Sequence, residues 1–508
     1  MSLVSVTDLT FSYEGNYENI FEHASFQFDT DWKLGFTGRN GRGKTTFLNL
    51  LLGKYEYSGT IAATIGFDYF PFIVQDPAKE TWQTVLELNP DCELWRLERE
   101  LNLLEMEGEA LYRPFETLSQ GERTKVLLAV LFLRENAFLL IDEPTNHLDL
   151  EARQVLGRYL KKKKGFLLVS HDRQLLDDCV DHILTINRSN IEIQKGNFSS
   201  WYENKTRQDR YELAENERLK KDIRRLQSAA RQSHAWADKV ESTKIGRDPR
   251  KETEMRDYIG EQSRRMQQRR KNLERRQQNA IEEKSALLKN LETADDLKLF
   301  PRSHHKTELV QCRSLELSYG TKTVCRDFDL TVRQGERIAL RGRNGCGKSS
   351  ILKAILAACA YTETAEPPAQ KAAVSPSIGG ELAVASGLKI SYVSQDTSKL
   401  FGQPDTYAAA CGVEESLLKT LLRKLDFSRL QFEKPIEAYS EGQKKKVLLA
   451  RSLCEQAHLY IWDEPLNYVD VLSRIQIEEL ILRFKPTLLF VEHDAAFTEK
   501  IATRIVEI

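Results

Sequence analysis

Short apolar runs recur toward both ends of the chain: Lys33-Leu34-Gly35-Phe36-Thr37, the run closing on Leu140-Ile141-Asp142, Phe166 to Val169, Arg337-Ile338-Ala339-Leu340, Tyr460-Ile461-Trp462-Asp463 and Thr487 to Val491. Runs of this length predict strands. The middle is patterned differently. From about 201 to 300 Arg, Lys, Glu and Gln dominate, all good helix formers. Leu219, Ile223, Leu226 and Ala230 recur at steps of three and four, the apolar face of one helix. Ile259, Met266, Leu273, Ala280 and Leu287 recur every seven residues, a thin coiled-coil seam. Gly246, Asp248 and Pro249 break the pattern between them. It predicts two antiparallel helices over 203–238 and 257–291, each about 50 Å long at 1.5 Å per residue, with 239–256 as the tip.

The chain also repeats itself. Gly38-Arg39-Asn40-Gly41-Arg42-Gly43-Lys44-Thr45 and Gly342-Arg343-Asn344-Gly345-Cys346-Gly347-Lys348-Ser349 both fit G-x-x-x-x-G-K-[ST]. Leu118-Ser119-Gln120-Gly121-Glu122 answers to Tyr439-Ser440-Glu441-Gly442-Gln443, Asp142-Glu143-Pro144 to Asp463-Glu464-Pro465, and His171-Asp172 to His493-Asp494. Ser119 to Asp142 and Ser440 to Asp463 are both 23 residues; Asp142 to His171 is 29 and Asp463 to His493 is 30. Only Lys44 to Gln75 (31) and Lys348 to Gln395 (47) differ much. The excess falls in 359–387, rich in Ala, Pro, Ser and Gly, and reads as an exposed surface insertion. The organisation expected is α/β: residues 1–200 and 301–508 as two related domains, with 201–300 as a helical hairpin between them.

Composition narrows the class. The longest apolar run, Val126 to Leu133, is eight residues, well short of the roughly 20 that a membrane span needs. The first residues lack the basic start and long apolar core of a signal peptide, so a cytoplasmic protein is expected. The eight cysteines include no C-x-x-C pair and read as reduced thiols. Net charge is −1, yet Arg218 to Arg276 holds 19 Lys/Arg against nine Asp/Glu, a block of +10 in a chain that is otherwise −11.

The repeated motifs carry chemistry. Glycines 38, 41, 43, 342, 345 and 347 let the backbone curl its N–H groups toward phosphate oxygens, with Asn40 and Asn344 in the same loops. Lys44 and Lys348 place a cation on the β/γ-phosphates, and the helices that follow, beginning with Thr45-Thr46 and Ser349-Ser350, aim their positive ends there. Thr45 and Ser349 offer hydroxyls to Mg²⁺. Asp142 and Asp463 end apolar strands, where a buried carboxylate needs a partner such as Mg²⁺. Glu143 and Glu464 can polarise an attacking water, and His171 and His493 can touch that water and the γ-phosphate. Gln75 and Gln395, each expected to end a short strand, can reach Mg²⁺ or water. Tyr13 and Tyr319 precede their lysines by 31 and 29 residues, where a ring either stacks on adenine or packs as ordinary core. ATP and Mg²⁺ are the ligands these motifs imply.

The L-S-x-G-x segment between phosphate loop and Asp-Glu strand resembles the signature of ABC ATPases. In that family the signature of one domain covers ATP held by the other. The resemblance implies one site from Lys44, Asp142, Glu143 and His171 with Ser440 and Gly442, and a second from Lys348, Asp463, Glu464 and His493 with Ser119 and Gly121. Two ATP would then be sandwiched in an intramolecular dimer of domains within a monomer, with hydrolysis releasing the clamp. Asp149 and Asp470 match the family position that couples the sites. Tyr439 departs from the usual Leu, but no catalytic carboxylate or His is missing.

Two cassettes joined by a charged hairpin, with no membrane domain, resemble the ABC-F family over essentially the whole chain. Gly38 to Thr46, Ala235-Trp236-Ala237-Asp238-Lys239-Val240, Asn272 to Gln278 and Asp463 to Tyr468 look like its Vga/Lsa-type antibiotic-resistance branch. The resemblance implies a ribosome partner, with the hairpin among rRNA phosphates and its tip near the peptidyl-transferase centre and P-site tRNA. There it would displace lincosamide, streptogramin A or pleuromutilin drugs. Lys239, Val240, Lys244, Ile245, Arg247, Arg250 and Lys251 are the tip candidates, a solvated turn being the other reading. Trp236 either locks the two helices or stacks on a base. The competing roles are a housekeeping ABC-F translation factor, the fused ATPase subunit of a transporter, and a DNA-repair or chromosome ATPase.

Overall fold

A computed structural model describes residues 2–13, 19–146, 148–187, 190–242, 275, 299–320, 322–359 and 377–508. The chain divides into one unit of Met1–Trp201 with Ala294–Ile508, which holds both cassettes, and a second of Tyr202–Thr293.

Each cassette is built on two sheets. In the first, strands Gly66–Phe70, Ala137–Asp142, Phe166–Val169, Lys33–Thr37 and His182–Asn187 lie side by side in parallel, and Asn190–Lys195 closes the edge antiparallel. A smaller antiparallel sheet orders Phe21–Asp29, Leu3–Phe11 and Ser58–Ala62. Helix Lys44–Leu51 joins the two, its Phe47 and Leu48 packed in one core with Val4, Phe28, Phe36, Leu140 and Leu167. The second cassette repeats this with parallel strands Ile390–Val393, Leu459–Asp463, Leu488–Val491, Arg337–Arg341 and Arg504–Glu507. Leu459 and Ile461 face one core and Tyr460 and Trp462 the other. A strand buried on both faces reads as an unbroken apolar run, so the short runs locate these strands well.

The insertion is shorter than 359–387. Helix Lys348–Ala358 ends where it was expected to begin, but Ser377–Val384 is a strand of the small antiparallel sheet, paired with Glu308–Tyr319. It is an exposed edge strand, so it carries little apolar signal. Its glycine has a backbone reason. Gly380 sits at φ +82, where a Cβ would stand 2.2 Å from the Ser314 carbonyl oxygen; in the first cassette Gly59, φ +103, faces the Asp8 carbonyl at 2.4 Å. Residues 360–376 lie outside the described residues.

The helix predicted over 203–238 runs continuously over Phe198–Ser242, so Lys239 and Val240 belong to helix and not to a break. The helix predicted over 257–291, apart from the helical Arg275, and the rest of the tip lie outside the described residues, as does the environment of Trp236. Leu299 is buried in the second cassette's core, which sets that cassette's start before 301. Within the first unit the cassettes touch: Arg173 pairs with the fully buried Glu478, which also takes Lys500 at 3.0 Å.

Candidate nucleotide sites

Parallel strands end on one edge of each sheet, and the loops leaving that edge converge, the usual ligand position in such sheets. In the first cassette, Lys33–Thr37 leads into the phosphate loop, while Ala137–Asp142 and Phe166–Val169 deliver Asp142, Glu143 and His171 beside it. In the second, Arg337–Arg341, Leu459–Asp463 and Leu488–Val491 do the same for Asp463, Glu464 and His493.

Both lysines curl inside their own loops. Lys44 Nζ donates to the carbonyls of Gly38 (2.9 Å) and Arg39 (3.2 Å), and Lys348 Nζ to those of Gly342 (2.7 Å) and Arg343 (2.8 Å). Burial pushes the Lys44 ammonium below its usual range against the pull of Asp470, Glu143 and Asp142. Thr45 Oγ1 donates to Asp142 Oδ2 (3.1 Å), and Ser349 Oγ to Asp463 Oδ1 (3.0 Å). Burial raises the Asp142 carboxyl and pushes Asp463 up to about 6. Among the described residues neither carboxylate has an ion-pair partner. A buried carboxylate beside a hydroxyl, short of a counter-charge, suits a hard divalent cation. Thr45 with Asp142, and Ser349 with Asp463, therefore fit Mg²⁺.

Glu143 and Glu464 adopt left-handed backbone, φ 49 and 47, held by N–H donation to Val169 (2.9 Å) and Val491 (3.0 Å). Such conformations are costly for a residue with a side chain and cluster at functional sites. His171 Nε2 lies 3.3 Å from Glu143 Oε1, and His493 Nε2 3.4 Å from Glu464 Oε1. A carboxylate and an imidazole beside a phosphate loop can position a water and take its proton.

The two glutamates then diverge. Glu143 Oε1 and His171 Nδ1 are shut from solvent without a hydrogen bond. Burial, and next the Asp142 carboxylate, push Glu143 up to about 8; burial, Lys44 and Arg474 hold His171 well below its usual value. For Glu464, burial is outweighed by His493, Gln395 and Lys445, and the carboxyl sits below its ordinary range. Gln395 Nε2 and Asn467 Nδ2 donate to Glu464 Oε2 at 2.7 and 2.6 Å. Gln75 is exposed and makes no hydrogen bond among the described residues. Neither glutamine ends a strand: Gly66–Phe70 stops five residues before Gln75, and Ile390–Val393 two before Gln395.

A raised carboxyl binds its proton more tightly folded than unfolded. Its stabilisation is complete below the unfolded value near 4.5 and is lost as pH rises toward 8. In nucleotide-free, EDTA-treated protein, thermal stability is expected to fall between pH 5 and 8, by up to about 1.4 kcal/mol per unit. Glu143→Gln should flatten that slope in pH-dependent melting, and an unchanged slope would mean that Glu143 is ionised throughout.

Tyr13 Oη shares a hydrogen bond with Thr46 Oγ1 (2.8 Å), and Tyr319 donates to Ser350 Oγ (3.3 Å). Both rings thus flank the start of the phosphate-loop helix. The first site also meets the second cassette's signature. Asn40 Nδ2 donates to the Tyr468 carbonyl (2.6 Å), and a Cβ on Gly442 would lie 2.3 Å from that same carbonyl oxygen and 2.5 Å from Asn40 Nδ2, so glycine leaves room for both. Ser440 caps helix Glu441–Cys454 behind it. The other pairing is looser. A Cβ on Gly345 would meet nothing within 4 Å among the described residues, and one on Gly121 would first meet Leu148 of its own cassette. Ser119 caps helix Gln120–Phe132, and Arg343 reaches Glu151 at 3.3 Å, both exposed. Of the tip candidates, Lys239 and Val240 lie in the long helix and Lys244, Ile245, Arg247, Arg250 and Lys251 outside the described residues.

Sequence reasoning missed Tyr69, which donates to Asp142 (3.1 Å), Asn467, and Lys445, which donates to the carbonyls of Ser394 (2.8 Å) and Glu464 (3.2 Å). Lys445 and Lys446 had a signal: they sit four and three residues before Leu449, on the helix face that carries it.

The family model described as ABC transporter matches residues 21–146 and 325–467. A ribosome protection protein, VmlR of Bacillus subtilis, is 27% identical over 98% of this chain and 85% of its own. The energy-dependent translational throttle protein EttA of Haemophilus influenzae is 25% identical over 96% of this chain and 89% of its own. Among solved structures, archaeal ribosome recycling factor aABCE1, in complex with stalk protein aP1, superposes with a TM-score of 0.60 at 18% identity, over 98% of this chain and 87% of that one. At that identity the likeness concerns the fold.

Proposed function

The chain belongs to the ABC transporter family of ATP-hydrolysing, Mg²⁺-dependent cassettes, and on that premise we propose that it is an ABC-F ATPase that binds the ribosome and protects it from antibiotics. Two ATP are held between the cassettes, one on Lys44, Asp142, Glu143 and His171 under Ser440 and Gly442, the other on Lys348, Asp463, Glu464 and His493 under Ser119 and Gly121. Thr45, Asp142, Ser349 and Asp463, with Gln395 and Gln75 after movement, hold Mg²⁺, which neutralises phosphate charge. Glu143 and Glu464 orient the attacking water, and Tyr13 and Tyr319 stack on adenine. Binding closes the clamp and hydrolysis opens it. On the ribosome the 239–256 tip reaches toward the peptidyl-transferase centre and P-site tRNA and displaces the drug.

The observation that carries this reading is the +10 block set between two complete cassettes, entered by one 45-residue helix. Basic charge gathered in one block suits RNA phosphates, and a relative matched across nearly the whole chain is a ribosome protection protein. No described helix is long and apolar enough to cross a membrane. The likeness to a translational throttle protein favours, as second reading, a housekeeping factor.

With Glu143→Gln and Glu464→Gln combined, the protein should pellet with ribosomes through a sucrose cushion in ATP and stay in the supernatant in ADP. Absence from the pellet in both would overturn ribosome binding. Expression of the unaltered chain in a susceptible bacterium should raise the inhibitory concentration of a lincosamide or pleuromutilin several-fold, and deletion of 239–256 should abolish this while sparing ATPase activity. No drug phenotype, with ribosome binding intact, would favour the housekeeping reading.

A further inference from the structure

Phosphate loop one carries two arginines, and both turn to one carboxylate of the other cassette. Arg42 Nη2 lies 3.0 Å and Arg39 Nη1 3.7 Å from Asp426 Oδ1. The side chains retain 31, 13 and 18% of their exposure, so the cluster is largely withdrawn from water, where ion pairing weakens less with salt. Asp426 follows helix Glu415–Lys424 in a left-handed turn, φ 71. Around it a Cβ on Gly41 would touch Gln431 and Gln443, each at 3.8 Å.

The repeat supplies an internal control. By the spacing that aligns Ser119 with Ser440, Glu105 is the counterpart of Asp426; by the spacing that aligns Gly38 with Gly342, Cys346 is the counterpart of Arg42. Glu105 occupies the same turn, φ 51, and the next residue makes the same backbone bond: Met106 N–H to Leu101 and Phe427 N–H to Leu422, both 3.0 Å. Its carboxylate, however, goes to Arg158 of its own cassette at 2.7 Å. The counterpart of Arg158 is Glu479, which cannot take Asp426. The pair of Arg158 and Glu105 is exposed, 63 and 60%, and among the described residues no contact joins Glu105 to phosphate loop two, which carries a thiol where loop one carries a guanidinium.

We propose that Arg42 and Arg39 with Asp426 form a latch that holds the second cassette's signature over phosphate loop one, so that the ATP on Lys44 stays enclosed longer than the ATP on Lys348. The inference rests on the composite-site reading above. None of the three residues touches the reacting atoms. They position the loop and signature, and the two sites differ in lifetime because the repeat is broken at positions 42 and 105.

The test uses the full chain and a fluorescent ATP analogue chased with unlabelled ATP. Glu143→Gln alone traps nucleotide at the first site and Glu464→Gln alone at the second. Arg42→Cys or Asp426→Asn should shorten the trapped half-life about tenfold in the Glu143→Gln background, the loss of roughly 1.4 kcal/mol, and leave it within about twofold in the Glu464→Gln background. Exchanging the charges, Arg42→Asp with Asp426→Arg, should restore most of it, which a merely misfolded variant would not do. Equal shortening in both backgrounds, or none in either, overturns the latch. Failure of both backgrounds to trap nucleotide sinks the composite-site reading, and the latch with it.

Discussion

Replacing Glu143 and Glu464 together by glutamine is expected to lower steady-state ATP turnover by about 10²–10⁴-fold, the range of a positioned general base, with ATP affinity nearly unchanged. Each glutamate sits beside an imidazole, His171 or His493, at the end of a buried strand. Among the described residues neither accepts a hydrogen bond from the phosphate loop, whose lysine is held by carbonyls. Glutamine keeps the shape and can keep the left-handed backbone, but it cannot accept the proton. Phosphate release and equilibrium nucleotide binding, measured on one preparation, separate the effects. A double variant that binds no ATP would mean that these carboxylates support the fold of the site and do no chemistry. Residual turnover within tenfold of the parent would place the base elsewhere.

The largest stability effect is expected at Asp470. Its carboxylate is fully buried and pairs with Lys446 at 2.6 Å, itself almost fully buried. It also accepts from the Ser473 N–H and hydroxyl, both at 2.9 Å, as the cap of helix Val471–Phe484. Burial alone would raise its carboxyl, but Lys446 and the Ser473 N–H outweigh burial and hold it far below the ordinary range. The stabilisation is therefore present above the unfolded value near 4 and is lost as pH falls. Asp470→Ala leaves Lys446 buried without its counter-charge and should cost about 3–5 kcal/mol, a fall on the order of 10 °C in the unfolding midpoint of that cassette. Asp470→Leu with Lys446→Met should cost much less, since both charges leave together. Calorimetry at neutral pH reads both, and a loss under 1 kcal/mol for Asp470→Ala would show that water reaches Lys446.

Much of this was legible in the residues. The phosphate loops, the Asp-Glu strands and both histidines are short motifs tied to doubly buried strands, and doubly buried strands announce themselves as apolar runs. The edge strand Ser377–Val384 did not, because half-exposed residues and a glycine pair look like loop; Gly59 in the first repeat was the available clue. The glutamines were misplaced because a Gln near a strand end says nothing of the strand's length. The difference between the sites was out of reach. The motifs differ by a few residues that say nothing of this: the protonation of Glu143 turns on burial beside Asp142, that of Glu464 on burial outweighed by His493 and Gln395, and engagement of the loops turns on Arg42 and Asp426.

The small sheet of the second cassette carries a practical consequence. In the first cassette six residues, 52–57, connect helix Lys44–Leu51 to strand Ser58–Ala62; in the second, 18 residues, 359–376, connect Lys348–Ala358 to Ser377–Val384. Tripling such a connection costs only about 1 kcal/mol of closure entropy, and the strand beyond it keeps its place by ladder bonds to Glu308–Tyr319. The stretch is therefore a natural port for an epitope or a fluorophore-bearing peptide, grafted by the cassette's own precedent. A donor placed there and an acceptor on the opposite cassette would report each opening and closing of the proposed clamp, molecule by molecule, with the catalytic strands untouched.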